Sequence, residues 1–253
     1  MIGVFDSGSG GLSVLHAIRE RMPSADVLYF GDIQNMPYGS KSREELSLLS
    51  IQAIQLLQKR GARSIVSACN SVSASLAISL FDTFDIAPQH LIEMVGPTVG
   101  FFRSSPSRLL LCATPATIHS GIYQSAFRMI GKQVEYLAIT DLASAIERGA
   151  PDADIETIIT EAFKSVPLEN FDALVLACTH YPLALRNFRR VLGDRIVLFD
   201  PALAVAERVE RQLWPREVGN GRTTFLISKD SEPFRHLAAR LFPGQAYEIE
   251  VLE

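Results

Sequence analysis

The feature that most constrains the fold of this chain is a regular alternation of short apolar runs with longer amphipathic stretches. The apolar runs predict strands at Ile2–Phe5, Val27–Phe30, Ser64–Ala68, Leu91–Val95, Leu109–Cys112, Val134–Ile139, Ala173–Ala177, Ile196–Phe199 and Phe225–Ile227. Among the stretches between them, Arg43–Lys59 has helical spacing and is followed by the helix-ending Gly61. Because continuous apolar strands separated by helices are typical of βαβ units, we expect an α/β fold with parallel sheets.

The sequence also repeats itself weakly at an offset of about one domain length. Ser64–Ser71 aligns with Ala173–His180, so that Cys69 coincides with Cys178, and a weaker echo relates the first strand to the run at Leu109. We therefore expect two pseudo-symmetric lobes, each a parallel sheet flanked by helices, with the active site in the cleft between them. The expected boundaries are residues 1–96 plus 208–253 for the first lobe and 97–207 for the second.

Composition narrows the classes of partner and compartment. The 253 residues include 24 Lys and Arg against 28 Asp and Glu, a net charge of −4, which disfavours nucleic acid as the primary partner. No apolar run approaches the roughly 20 residues of a membrane span, and the first residues lack the pattern of a signal peptide. Three cysteines suit a reducing compartment, so we expect a cytoplasmic protein without a membrane partner.

Cys69 and Cys178 are the strongest candidates for chemistry. Each follows a predicted strand, at the edge where parallel sheets bind ligands and where a helix N-terminus favours a thiolate. The alternative is that they are buried apolar residues. We prefer that alternative for Cys112, which lies within the apolar run Leu109–Cys112. For the other pair, polar neighbours at matching positions favour a functional role.

A zinc site formed by Cys69, Cys178 and His180 is disfavoured. The chain lacks the usual short ligand spacings for such a set, and Cys-x-His at a strand end is expected to point its side chains to opposite faces. We therefore predict no metal. His180 fits better as a proton partner of the neighbouring cysteine, although an isolated histidine is usually without a function.

The glycine-rich loop Asp6–Gly11 follows the first strand and is a candidate anion cradle. It lacks the GK[ST] of a P-loop, and Ser13 stands where a dinucleotide fingerprint has its third glycine. Nicotinamide and ATP enzymes are therefore disfavoured. We expect the glycines to let the backbone approach a small ligand closely, with a ligand-free tight turn as the alternative.

Taken in order, these motifs resemble the cofactor-independent aspartate/glutamate racemase superfamily, and within it the glutamate racemases. The residues that carry the resemblance are Asp6-Ser7-Gly8 with Gly10-Gly11, Gly31-Asp32 with Pro37-Tyr38-Gly39, Ala68-Cys69-Asn70, Thr117 with Ser120-Gly121, and Cys178-Thr179-His180-Tyr181-Pro182-Leu183. The last run is the most specific. The glycine loop alone would carry little weight.

The resemblance implies a role for each matching residue. Cys69 and Cys178 would be the catalytic acid/base pair, working without a cofactor on an amino acid. The implied substrate-binding residues are Asp6, Ser7, Tyr38, Gly39, Asn70, Ser71, Thr179 and His180, with Asp32, Thr117 and Glu147 in support. The resemblance allows a homodimer. As alternatives, Asp32 would only cap a helix and Glu147 would be an exposed helix residue.

The implied reaction is racemisation of glutamate, supplying D-glutamate for peptidoglycan. It removes the α-proton from one face and delivers a proton to the other, which suits one base on each side of the carbon. Asp6 suits the substrate ammonium, and since no motif contains Arg or Lys, both carboxylates would rest on neutral donors.

Three rival hypotheses stay open. Ser71 and Ala113 depart from the family's usual Thr and Gly, so aspartate or a hydantoin remains an alternative substrate. The second rival is a thiol hydrolase or decarboxylase that uses Cys178 with His180. The third is an amino-acid-binding protein without turnover.

Overall fold

The described residues, 1–73 and 88–252 of the computed structural model, contain ten strands in two parallel sheets. The strands are β1 Ile2–Asp6, β2 Val27–Gly31, β3 Ser64–Ser67, β4 Leu91–Ile92, β5 Leu109–Ala113, β6 Val134–Ala138, β7 Ala173–Leu176, β8 Val197–Phe199, β9 Thr223–Ile227 and β10 Tyr247–Val251. Their order is β10-β9-β2-β1-β3-β4 in one sheet and β6-β5-β7-β8 in the other. The predicted α/β class is confirmed.

Helices follow most strands. They are α1 Leu12–Arg21, α2 Arg43–Lys59, α3 Asn70–Ser73, α4 Val95–Phe101, α5 Pro115–His119, α6 Ile122–Met129, α7 Leu142–Glu147, α8 Asp152–Phe163, α9 Leu185–Leu192, α10 Pro201–Leu213 and α11 Glu232–Leu241. The predicted helix α2 has the expected bounds because Ser42 and Glu45 form a reciprocal capping box at its start. No helix of the described ranges combines the length and the apolar character needed to cross a membrane.

The two sheets repeat one topology. The order β2-β1-β3-β4 in the first matches β6-β5-β7-β8 in the second, strand for strand, and all of these pairings are parallel. The first sheet extends the pattern with β9 and β10 beyond β2. The cysteine-bearing turns therefore follow equivalent strands, β3 and β7, which explains the internal echo in the sequence.

Two strand predictions differ from the structure. Leu91–Val95 is a strand only over β4, because the Glu93 carboxylate accepts hydrogen bonds from the Val95 and Gly96 amides and turns the chain into α4. Strand β10 was missed because it lies at the sheet edge and alternates apolar with exposed glutamate residues. The continuous apolar run that predicted the inner strands is absent from such an edge.

Two helices lie across the expected lobe boundaries. Helix α10 starts within the range predicted for the second lobe, but its Ala202 and Val205 belong to the first lobe's core. Helix α4 starts within the range predicted for the first lobe, and its Val99 packs in the core that contains Leu109 and Leu111. The divisions at 96/97 and 207/208 stay a prediction.

Candidate functional site

The two cysteines of the sequence repeat lie on the wall of one cavity. Cys69 follows β3 by two residues and Cys178 follows β7 by two residues, so each sulfur stands at the carboxyl end of its own sheet. The cavity has a volume of about 280 Å³ and both cysteines are more than nine-tenths buried. It is of a size for a small metabolite. Predicted site residues on its wall are Ser7, Tyr38, Gly39, Cys69, Asn70, Ser71, Glu147, Cys178, Thr179 and His180.

The Cys69 sulfur faces a neutral hydroxyl, and the Asp6 carboxylate lies nearby. Its sulfur lies 3.9 Å from the Ser7 hydroxyl oxygen. Burial raises the pKa of the Cys69 thiol far above its ordinary value, and the negative charge of Asp6 adds to the effect, while the Val72 amide opposes it. The amide at the helix start favours the thiolate as expected, but desolvation outweighs it at this residue.

Cys178 instead has a histidine partner. The Cys178 sulfur lies 4.0 Å from Nδ1 of His180, and Nε2 of that ring lies 2.5 Å from Oε2 of Glu147. Burial lowers the pKa of His180, but the hydrogen bonds with Cys178 and Glu147 outweigh it and hold that pKa well above its usual value. Burial likewise raises the pKa of Glu147, and its bond with His180 brings it below its usual value. Both shifts favour an imidazolium paired with a carboxylate.

The position of His180 bears on the argument against a zinc site. Strand β7 ends at Leu176, so Cys178 and His180 lie in the following turn and their side chains meet instead of pointing to opposite faces. That geometric argument against zinc is wrong. Among the residues described, no three His, Cys, Asp or Glu side chains are grouped as a metal site would require.

The glycine-rich loop binds an anion, but the anion belongs to the protein. The Ser9 amide and hydroxyl both donate to the Glu147 carboxylate of the second lobe. A Cβ added at Gly8 would lie 3.0 Å from that carboxylate, and one at Gly10 would lie 2.6 Å from the Thr179 hydroxyl. The glycines therefore allow a close approach between the two lobes, and their expected approach to a ligand stays a prediction.

Three predicted residues lie one layer behind the cavity wall. Asp6 is fully buried, accepts from the Gly8 amide at 3.0 Å and from the Thr179 hydroxyl at 3.1 Å, and burial raises its pKa. Asp32 accepts from the Tyr38 hydroxyl at 2.7 Å instead of capping a regular helix end. Thr117 is the third.

Hydroxyl groups form a chain between the lobes on the Cys69 side. The Thr117 hydroxyl lies 3.1 Å from that of Thr114, which in turn lies 3.1 Å from the Ser71 hydroxyl. Ser71 precedes the buried Val72 in the short helix α3, and Thr114 follows β5 in the second lobe. This side of the cavity is therefore lined by neutral donors, as the motifs suggested.

Arg148 and Tyr123 are among the residues in or behind the site that the sequence argument missed. Arg148 lines the cavity beside Glu147, so a cation is present although no motif contains one. Tyr123 donates to the Asn70 side-chain oxygen at 2.6 Å and so fixes the orientation of that amide. Neither has a local signal, because Arg148 is an exposed residue at a helix end and Tyr123 lies 53 residues from its partner. The prediction for Cys112 is confirmed, since it is fully buried in β5.

Comparison with known proteins places this architecture. Residues 8–209 match the Asp/Glu/Hydantoin racemase family. The chain is 33% identical over 255 residues to a glutamate racemase of Deinococcus radiodurans, an alignment that covers 97% of this chain and 87% of the relative.

Solved structures agree with the sequence match. A glutamate racemase isoform from Bacillus anthracis superposes with a TM-score of 0.89 at 26% identity, covering 100% of this chain and 97% of that one. A glutamate racemase from Francisella tularensis in complex with D-glutamate gives a TM-score of 0.87 at 27% identity, with the same coverage. The two-lobed architecture is thus that of racemases of known structure.

Proposed function

This chain belongs to the Asp/Glu/Hydantoin racemase family, and we propose that it interconverts L- and D-glutamate through Cys69 and Cys178 without a cofactor. The observation that carries the proposal is the placement of two buried thiols, one from each lobe, on the wall of one small cavity. Relatives across nearly the whole chain are named glutamate racemases, and one is described in complex with D-glutamate. These names support glutamate over aspartate or a hydantoin.

In the proposed reaction one sulfur is a thiolate and the other a thiol. The thiolate removes the proton from Cα of the amino acid, and the C–H electron pair stays on the substrate as a carbanion-like centre. The opposite thiol then donates its proton to the other face of Cα. Inversion leaves the two sulfurs with exchanged protonation states, so the roles reverse with the handedness of the substrate.

The cavity wall offers donors for the substrate carboxylates. Asn70 Nδ2 is buried without a hydrogen-bond partner among the described residues, and Tyr123 holds the amide with that donor free. We infer that Asn70, together with the hydroxyls of Ser7 and Ser71, binds carboxylate oxygens. The Thr179 hydroxyl donates its one proton to Asp6, so its oxygen is left as an acceptor for the substrate ammonium. Fixed donors in a closed site stabilise the carbanion-like state more than water would.

The same architecture supports a separate role for Asp6. Its carboxylate lies behind the wall and is bonded to Thr179, so we infer that it orients the Thr179 hydroxyl and contributes negative charge near the bound ammonium. Tyr38 and Gly39 would close the opposite wall, with Asp32 and Thr117 holding their neighbours in place.

We further infer that the product serves peptidoglycan synthesis in the cytoplasm. The resemblance to glutamate racemases carries this cellular role. The three cysteines are all unpaired, which suits a reducing compartment.

The proposal is tested by following optical rotation or circular dichroism after adding either enantiomer of glutamate or aspartate, or a hydantoin, to purified protein. We expect both glutamate enantiomers to converge on the racemic mixture. Turnover of aspartate or a hydantoin but not of glutamate would favour the alternative substrates. Thermal stabilisation by glutamate without turnover would indicate a binding protein. Turnover of an added substrate that persists in Cys69→Ala would favour a hydrolase or decarboxylase that uses Cys178 and His180.

A further inference from the structure

Ser9 lies outside the cavity wall with the two cysteines, yet it contacts the ion pair behind Cys178. It is buried in the loop between β1 and α1, and its hydroxyl lies 2.6 Å from Oε2 of Glu147. Its amide nitrogen lies 3.2 Å and 3.1 Å from the two Glu147 oxygens. Oε2 is also the oxygen bonded to His180. Within the described part of the chain, Ser9 and His180 are the hydrogen-bond partners of this carboxylate.

We propose that Ser9 is a positioning residue for the reaction at Cys178. Its hydroxyl, from the first lobe, holds the Glu147 carboxylate of the second lobe ionised and aimed at His180, which in turn faces the Cys178 sulfur. The proposal deepens the function proposed above and rests on it. It gives the glycine-rich loop a role in catalysis that does not involve contact with the substrate.

The geometry supports a specific role for the hydroxyl. Glu147 is the last residue of the short helix α7, and the bonds that fix its carboxylate all come from other parts of the chain. The absence of a side chain at Gly8 lets the loop reach this carboxylate. Because the Ser9 O–H donates to an anion, it stabilises the ionised form of Glu147, and both Ser9 bonds contribute to lowering the pKa of Glu147. Removal of the hydroxyl therefore raises that pKa.

The test compares Ser9→Ala with Ser9→Thr and Ser13→Ala. Ser9→Ala removes the hydroxyl, whereas Ser9→Thr retains it. Ser13→Ala removes another hydroxyl of this region, which donates to the Gly10 carbonyl at 2.9 Å and lies 3.4 Å from the Thr179 carbonyl, and it leaves Glu147 untouched. Thermal unfolding establishes that each variant is folded, and Ser9→Gly replaces Ser9→Ala should that variant not fold.

We expect Ser9→Ala to lower kcat about tenfold and to move the acid limb of its pH profile up by about one to two pH units. Ser9→Thr and Ser13→Ala should keep the wild-type acid limb. In a Glu147→Gln background, Ser9→Ala should change kcat by less than about twofold, since the group through which it acts is gone. An acid limb of Ser9→Ala that does not move would overturn the proposal. So would a loss of kcat in Ser13→Ala, or on adding Ser9→Ala to Glu147→Gln, as large as the loss in Ser9→Ala alone.

A readout independent of turnover separates this proposal from the proposed function. The imidazole nitrogen resonances of His180, assigned with a His180→Asn variant, shift when Glu147 takes up its proton. In Ser9→Ala that shift should occur at a higher pH than in the wild-type protein. If glutamate is not racemised but this displacement is seen, the proposed function fails while the effect of Ser9 on the ionisation of Glu147 stands. An identical titration in both proteins contradicts the role of Ser9.

Discussion

The two halves of the cavity share one topology but differ in their chemistry. The Cys69 turn and the Cys178 turn follow equivalent strands of the two sheets. Yet Cys69 faces the Ser7 hydroxyl and the charge of Asp6, whereas Cys178 faces a histidine that is paired with Glu147. Under the proposed mechanism, a thiolate at Cys178 has a cationic partner in His180, while a thiolate at Cys69 takes its cationic partner from the bound substrate. The fold is thus pseudo-symmetric and the proposed acid/base machinery is not.

Removal of either sulfur should cause the largest loss of activity. Cys69→Ala and Cys178→Ala should each lower racemisation by roughly 10³-fold or more, because proton removal and proton delivery then lose one of their two groups. Polarimetry from each glutamate enantiomer measures the loss. Cys112→Ala is the matched control, since that thiol is buried in the β5 core and should affect stability and not turnover. Retention of substantial activity in either site variant would contradict the two-base proposal.

Removal of the histidine partner tests the difference between the surroundings of Cys178 and those of Cys69. His180→Asn should lower kcat by about 10²-fold, because the proton partner of Cys178 is lost. Ser7→Ala, on the Cys69 side, removes only a 3.9 Å contact to sulfur and should cost less than about tenfold. Enantiomers have equal free energies in water, so kcat/KM must fall equally in both directions. The asymmetry is measured in kcat and KM separately. Equal effects of the two substitutions would contradict the assigned difference.

Arg148 tests whether the second lobe also supplies charge to the substrate. It lines the cavity beside Glu147, so we expect Arg148→Ala to raise KM for glutamate about tenfold with little change in kcat, because binding to a carboxylate is lost equally in the ground and transition states. Initial rates over a range of glutamate concentrations measure this. Arg148→Lys should recover part of the loss. An unchanged KM would indicate that Arg148 does not bind glutamate and that neutral donors alone bind the substrate carboxylates.

The smallest expected effect is on stability, and it depends on pH. The pKa of His180 is raised above its usual 6.5, so its contribution is complete below that value and is lost as pH rises through the folded-state pKa. The pKa of Glu147 is lowered below its usual 4.5, so its contribution is complete above that value and is lost as pH falls.

The difference in unfolding free energy between wild type and Glu147→Gln should therefore be largest between about pH 4.5 and 6.5. A value of roughly 2 kcal/mol is expected, the order of a hydrogen bond to a charged group. Denaturant titrations across the pH range measure it. A difference that does not vary with pH would indicate that the pair is not ionised in the folded protein.

The sequence predicted what depends on local pattern. Apolar runs located the inner strands, and the internal echo located Cys69 and Cys178 because equivalent strands carry equivalent turns. Glu147 entered only through the resemblance, since nothing in its helix distinguishes it from an exposed glutamate. The bond between Ser9 and Glu147 spans 138 residues and depends on how the lobes pack, so no local pattern predicts it. Desolvation at Cys69 likewise depends on how the surrounding elements pack.

The most direct test of two separate bases, one on each face of Cα, is the fate of solvent deuterium at early times. L-glutamate is incubated with the enzyme in deuterium oxide. Before equilibrium is reached, the two enantiomers are separated and the deuterium content of each is measured by mass spectrometry. We predict that the D-glutamate formed carries one deuterium at Cα while the remaining L-glutamate carries almost none, because its proton is removed by one group and replaced by the other. Equal deuterium in both pools from the first turnovers would show a single base serving both faces.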